Sequence, residues 1–163
     1  MRRMTLSATA GPDGQPRCPW CLATPQYIAY HDEEWGFPVT DDRRLFEKLS
    51  LEAFQSGLSW RTILEKREGF RAAFAGFDFH RLAGWGEPEV LRLLGDAAIV
   101  RHRGKIEAVI HNAARAVELQ REAGSLAAFI WRYEEAGAPM TVRPSSPNSV
   151  ALAKALKQRG WKF

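Results

Sequence analysis

The chain has 163 residues, 45% of them hydrophobic and 26% charged, a balance that supports a buried core in one domain. No apolar run reaches the ~18 residues of a membrane span, and the opening "MRRMTLSATA" holds no apolar stretch of signal-peptide length, so the expected setting is cytoplasmic and free of membrane. The net charge of +4 is uneven: residues 1–60 hold 6 Lys/Arg against 8 Asp/Glu, residues 61–163 hold 17 against 11, and from Ala136 onward five basic residues stand without an acid. Clustered basic charge gains affinity for a polyanion by releasing its counterions, which makes nucleic acid the partner class to test; a solvated basic face is the plain alternative.

Residues 1–16, running into the glycines and prolines of "GPDGQPR", read as a flexible tail outside the fold. Thr40, Asp41 and Asp42 offer N-cap oxygens to a helix carrying Leu45, Phe46, Leu49 and Ala53 at helical spacing until Gly57. Ser59 can cap the next helix, through Ile63 and Leu64. "FRAAF" and "EPEVLRLLGD" read as short helices. The longest helix runs from about His102 to Glu122, with Ile106, Val109, Ile110, Ala113, Ala114 and Val117 along one side. "SLAAFIWRYEE" gives another, "AGAPMTVRPSSPNS" a loop, and "VALAKALKQRG" a last helix stopped at Gly160. No alternating strand pattern of useful length appears. The expected class is all-α, a compact set of seven or eight short helices.

Three features carry chemistry. "CPWC" places Cys18 and Cys21 in a CxxC pair. A redox pair needs a strand before it and a helix after it, whereas here a polar run precedes and Pro25 follows closely. Metal binding suits these thiols better, with His31 ten residues on; yet Cys18, Cys21 and His31 make at most three ligands, and buried small residues are the plain reading. His80, His102 and His111 fall in helical patterns without ligand spacing. Glu52 stands seven after Leu45 and three after Leu49, so its carboxylate is expected on the apolar face, where it needs either a paired cation or a pocket. "YIAYHDEEWG", residues 27–36, is rich in aromatics, and three of the six tryptophans and two of the three tyrosines lie between Trp20 and Trp60. Tyr and Trp rings around a carboxylate suit a flat cation such as a damaged nucleic-acid base. Phe46 and Phe54 are expected in the core.

The segments "RCPWC", "YIAYHDEEWG", "LFEKLSLEAFQSGLSW", "IVRHRGKIEAVIHNA" and "ALAKALKQRGWKF" together resemble the 3-methyladenine DNA glycosylase I family, in order and nearly without gaps from Arg17 to Phe163. The resemblance implies a single all-helical domain over residues 17–163, of the helix-hairpin-helix glycosylase type. It also implies base-excision repair: hydrolysis of the N-glycosidic bond of 3-methyladenine in alkylated double-stranded DNA, without lyase activity or an organic cofactor. Carried over residue by residue, Glu52 contacts the flipped base, Tyr30 and Trp60 stack on it, and Trp20 and Trp35 form the pocket wall, with Tyr27 counted among the substrate-binding residues. Gly57 and Leu58 match the tip that enters the DNA beside the lesion, with Gln55 nearby. Lys157, Arg159, Gly160 and Lys162 belong to the phosphate-binding hairpin motif. Cys18 and His31 match the first two ligands of a structural zinc, and Cys21 is an extra candidate thiol. Asp32, Glu33 and Glu34 are expected to be helix-start and surface charges. The family pattern continues past Phe163 with the second half of the hairpin and two further zinc ligands, so this chain is expected to end inside the hairpin and to hold zinc weakly or not at all. A monomer is expected. The rival reading from another class is a non-catalytic DNA-binding or damage-sensing module; a zinc hydrolase fails for want of three ligands beside an open carboxylate.

Overall fold

The structure is a computed structural model that describes residues 7–137 and 143–163. The outermost part of the expected tail and the centre of the expected loop over 136–149 lie outside the described residues. Contacts gather the chain into two compact units, one up to Pro38 and one from Val39 to Phe163.

In the first unit, β1 (Thr9–Ala10) pairs antiparallel with β2 (Pro16–Arg17). The turn between them closes by Gly11 N donating to Gln15 O at 2.9 Å, and the Asp13 carboxylate accepts from Gln15 N at 3.1 Å. An Asp side chain that bonds the backbone two residues on organises a turn locally. Ordered pairing therefore replaces the flexible lead-in expected over part of this stretch. After a single 3₁₀ turn at Pro19–Cys21 comes α1 (Pro25–Glu33). Its start is set by Thr24, whose hydroxyl accepts from Tyr27 N at 3.1 Å, and by Pro25, which needs no hydrogen-bond acceptor in the first turn. Asp32, Glu33 and Glu34 consequently stand at the end of this helix, which corrects the expectation that they open one.

The second unit holds α2 (Asp42–Gln55), α3 (Trp60–Glu65), α4 (Arg67–Ala73), α5 (Phe79–Leu82), α6 (Glu87–Leu94), α7 (Arg103–Ala123), α8 (Leu126–Ile130) and α9 (Pro147–Gln158). Of the three cap candidates before α2, Asp41 does the capping, accepting from Arg44 N at 2.8 Å. Ser59 caps α3 as expected, through Thr62 N at 3.1 Å. Asp42 reaches across the unit instead: its carboxylate accepts from Leu126 N and Ala127 N, both at 3.0 Å, and from Gln120 Nε2 at 3.1 Å. One side chain thus satisfies orphan amides at the start of α8 and ties three helices together.

The core of this unit is built on phenylalanines. Phe46, Phe54, Phe70, Phe74 and Phe77 are fully buried, with Phe54 and Phe70 ring centroids 4.7 Å apart and Phe74 and Phe77 stacked at 5.6 Å. Around them close Ile63, Leu82, Leu93, Ile106, Val109 and Phe129. Arg71 of α4 holds Glu47 of α2 through two bonds, at 2.9 and 3.0 Å. At the far end of the chain Trp161 packs 6.2 Å from Phe46, and Asn112 exchanges two 2.8 Å bonds with the backbone of Lys162. These contacts fix the residues after α9 against α7. The all-α expectation holds apart from the two-residue strands.

Candidate functional site

The turn from α2 to α3 carries five of the singled-out residues. The buried face of α2 is Phe46, Ser50, Leu51 and Phe54, while Leu45 and Leu49 only flank it, half-buried. The heptad-like spacing therefore places Glu52 on the rim: its side chain is 48% exposed. This corrects the expected buried carboxylate. The Glu52 partner is Lys48, one turn earlier, with Nζ 3.0 Å from Oε1. The same ammonium sits 3.7 Å from the ring centroid of Trp60 at the start of α3. Glu52 and Trp60 thus share one cation between a carboxylate and a π face, two groups that attract positive charge for different physical reasons.

Beyond Gln55 the chain turns sharply. Leu58 N donates to Gln55 O at 2.7 Å, and Gly57 takes φ +80°, a left-handed conformation that side-chain-bearing residues rarely adopt. The turn presents Leu58, a large apolar residue 41% exposed. It is held from behind by Lys105 of α7, a buried lysine whose Nζ donates to Phe54 O at 2.9 Å and to Ser56 O at 2.5 Å. These are carbonyls of the last turn of α2, where a helix leaves acceptors unsatisfied and its dipole favours a cation. Sequence reasoning missed Lys48 and Lys105. The i,i+4 spacing of Lys48 and Glu52 was a legible signal for the first; Lys105, one residue before the apolar stripe that starts at Ile106, gave none.

The other aromatics gather in the first unit. Trp20 lies 5.1 Å from Tyr27, 5.2 Å from His31 and 5.2 Å from Trp35, ring centroid to ring centroid. His31 stacks on Trp35 at 5.6 Å, and Tyr27 lies 6.4 Å from Tyr30. Tyr30 is buried, and burial pushes the Tyr27 phenol pKa above its ordinary value. The His31 ring is held by a chain of charges: Arg17 bonds Asp13 at 2.6 Å and Asp32 at 2.9 Å, and Asp32 meets His31 Nδ1 at 2.8 Å. Arg17 first, then His31, holds the Asp32 carboxyl below its usual pKa.

The metal expectation meets a limit here. With Nδ1 facing Asp32, His31 keeps Nε2 as its remaining ligand atom. Cys21 is fully buried, its thiol donates to Cys18 O at 3.2 Å, and burial first, then Asp32 and Cys18, pushes its pKa up. Among the described residues, no three His, Cys, Asp or Glu side chains gather as a metal-holding group. Cys18 and His31 by themselves do not make a closed four-ligand zinc site.

At the end of the chain Lys157 and Lys162 are exposed. Gly160 turns the backbone at φ +83° and its carbonyl meets His111 Nε2 at 2.7 Å. Arg159 is engaged within the protein, with Nη2 2.6 Å from Glu122 Oε1 and its guanidinium 4.7 Å from the Phe129 ring centroid. Among the described residues no helix is long and apolar enough to cross a membrane.

The chain resembles known proteins along most of its length. The methyladenine glycosylase family model matches residues 20–163. DNA-3-methyladenine glycosylase 1 of Escherichia coli K12 is 45% identical over 154 residues, which span 90% of this chain and 82% of that protein. A crystal structure of a 3-methyladenine DNA glycosylase I aligns with a TM-score of 0.82 at 48% identity, covering 90% of this chain and 85% of that one. A structure from Staphylococcus aureus that describes 3-methyladenine recognition aligns with a TM-score of 0.78 at 36% identity, covering 86% and 79%. With similarity at this level along nearly its whole length, the chain belongs to the methyladenine glycosylase family.

Proposed function

We infer that this protein is a monofunctional DNA glycosylase that removes 3-methyladenine from alkylated double-stranded DNA. The observation that carries the reading is the Lys48 ammonium held 3.0 Å from Glu52 and 3.7 Å from the Trp60 ring: the carboxylate and the indole already bind a cation, and N3-methylation turns a purine into a flat one. The relatives named above act on this base, which supports the assignment.

On this reading the nucleotide is flipped out of the stack, at a cost of about a few kcal/mol, and Leu58 offsets part of that cost by filling the gap. Gly57 and Gln55 shape the approach to the duplex. Glu52 recognises the cationic base, Tyr30 and Trp60 stack on it, and Trp20, Trp35 and Tyr27 provide wall contacts. The positive charge already weakens the glycosidic bond, and the base departs neutral, so little acid catalysis is needed. Water attacks the sugar carbon through an oxocarbenium-like transition state. Lys157, Lys162 and the backbone at Gly160 meet phosphates, with Arg159 joining once it leaves Glu122. The resemblance also implies structural zinc at Cys18 and His31, which two donors alone do not complete, and no step is assigned to it.

The test is binding of free 3-methyladenine together with its release from methylated duplex DNA. Glu52→Ala is expected to lose most of the binding and Glu52→Gln to keep part. Unchanged affinity in both variants would remove Glu52 from the site; binding without release would favour a damage-sensing module.

A further inference from the structure

We propose that Lys48 is a built-in competitor for the base site, which reclaims Glu52 and Trp60 when the excised base turns neutral and so drives product release. The proposal rests on the reading of Glu52 and Trp60 as base contacts. Its own evidence is geometric. Lys48 and Glu52 are one helical turn apart on the rim of α2, with side chains 46% and 48% exposed, so solvent adjoins the lysine stem. In the structure it does not point there; it lies over the Trp60 ring and against the carboxylate. A base that stacks on the Trp60 face covered by Lys48 and bonds Glu52 Oε1 displaces it.

The consequence depends on charge. While still attached to DNA, N3-methylated adenine is cationic and offers Glu52 and the indole face the same electrostatic attraction as the ammonium, with a larger stacking area. Cleavage leaves the bonding electron pair on the base, which becomes neutral. It then keeps its stacking and loses its charge, whereas Lys48 keeps its charge, and the balance tips toward the lysine. An exposed cation–π contact and an i,i+4 ion pair together correspond to about a 5- to 10-fold equilibrium.

Isothermal titration of 3-methyladenine into wild type, Lys48→Met and Lys48→Arg tests this. Methionine keeps the apolar stem and removes the competitor, so its Kd should fall about 5- to 10-fold, and multiple-turnover excision should become correspondingly more sensitive to inhibition by added 3-methyladenine. Arginine keeps a cation and should stay near wild type. An equal or higher Kd for Lys48→Met, or equal tightening in Lys48→Arg, would overturn the proposal while leaving the base site standing. If neither wild type nor Lys48→Met binds, the base-site reading and this proposal fall together.

Discussion

Replacing Lys105 by methionine should loosen the turn that carries Gly57 and Leu58 without emptying the core around it. The lysine is 6% exposed, and its ammonium donates to Phe54 O at 2.9 Å and Ser56 O at 2.5 Å. Methionine retains most of the stem volume, so little cavity forms, but two charge-assisted bonds are lost at carbonyls that have no helical partner. Hydrogen bonds to a charged group contribute about 1.5–3 kcal/mol each. Against this stand relief from desolvating a buried ammonium and hydration of Ser56 O, which lies on an exposed residue. The net loss expected is about 2–3 kcal/mol, or about 4–12 °C in Tm for a chain of this size. Chemical and thermal denaturation of wild type and Lys105→Met measures that loss. Amide hydrogen exchange locates it, since protection should fall first at residues 56–60 and DNA affinity should drop more than affinity for free 3-methyladenine. A loss below about 0.5 kcal/mol, with unchanged exchange at the turn, would refute the reasoning.

Two further outcomes follow from charges at other places in the chain. Arg159 holds the Glu122 carboxyl below its ordinary pKa, so the stability this pair adds is complete above the ordinary glutamate range and is lost as pH falls through the lower folded value. Glu122→Gln should therefore flatten the acid limb of the stability profile and, by freeing Arg159, tighten DNA binding with a steeper salt dependence; an unchanged acid limb would separate the pair from folding. For metal, the 163-residue chain dialysed against zinc-free buffer should retain well under one zinc per molecule, because Cys18 and His31 supply too few donors. Stoichiometric zinc that disappears in Cys18→Ala would show that the donor set is larger than these residues.

Fold class was legible because long-range apolar periodicity and local cap chemistry agree over most of the second unit. Asp41 before α2, Ser59 before α3 and the stripe along α7 each point to a helix without help from tertiary contacts. Where the local signals conflict, the reading failed. The segment of α1 places Tyr, His and acids with only a weak apolar stripe, and its start rests on Thr24 and Pro25 rather than on the acids that looked like an opening. The hairpin at Thr9–Arg17 depends on the side-chain bonds of Asp13 and Arg17, which no composition rule reveals.

The sequence by itself determined that the chain is helical, that its aromatics concentrate between Trp20 and Trp60, that the last helix is basic, and which family its motifs resemble. Residue type and spacing along one helix are local properties, and these conclusions need nothing more. The depth at which Glu52 sits was decided only in three dimensions, because the buried stripe of α2 follows Phe46, Ser50, Leu51 and Phe54 and leaves the Leu45–Leu49–Glu52 line on its edge. Equally tertiary is the placing of Lys105, a surface residue by type, under the turn at Ser56, and of the Lys48 charge over the ring of Trp60. In each case the partner comes from another helix or another turn, and the energy that fixes it is the satisfaction of a carbonyl, a carboxylate or a π face that a one-dimensional pattern does not bring within reach.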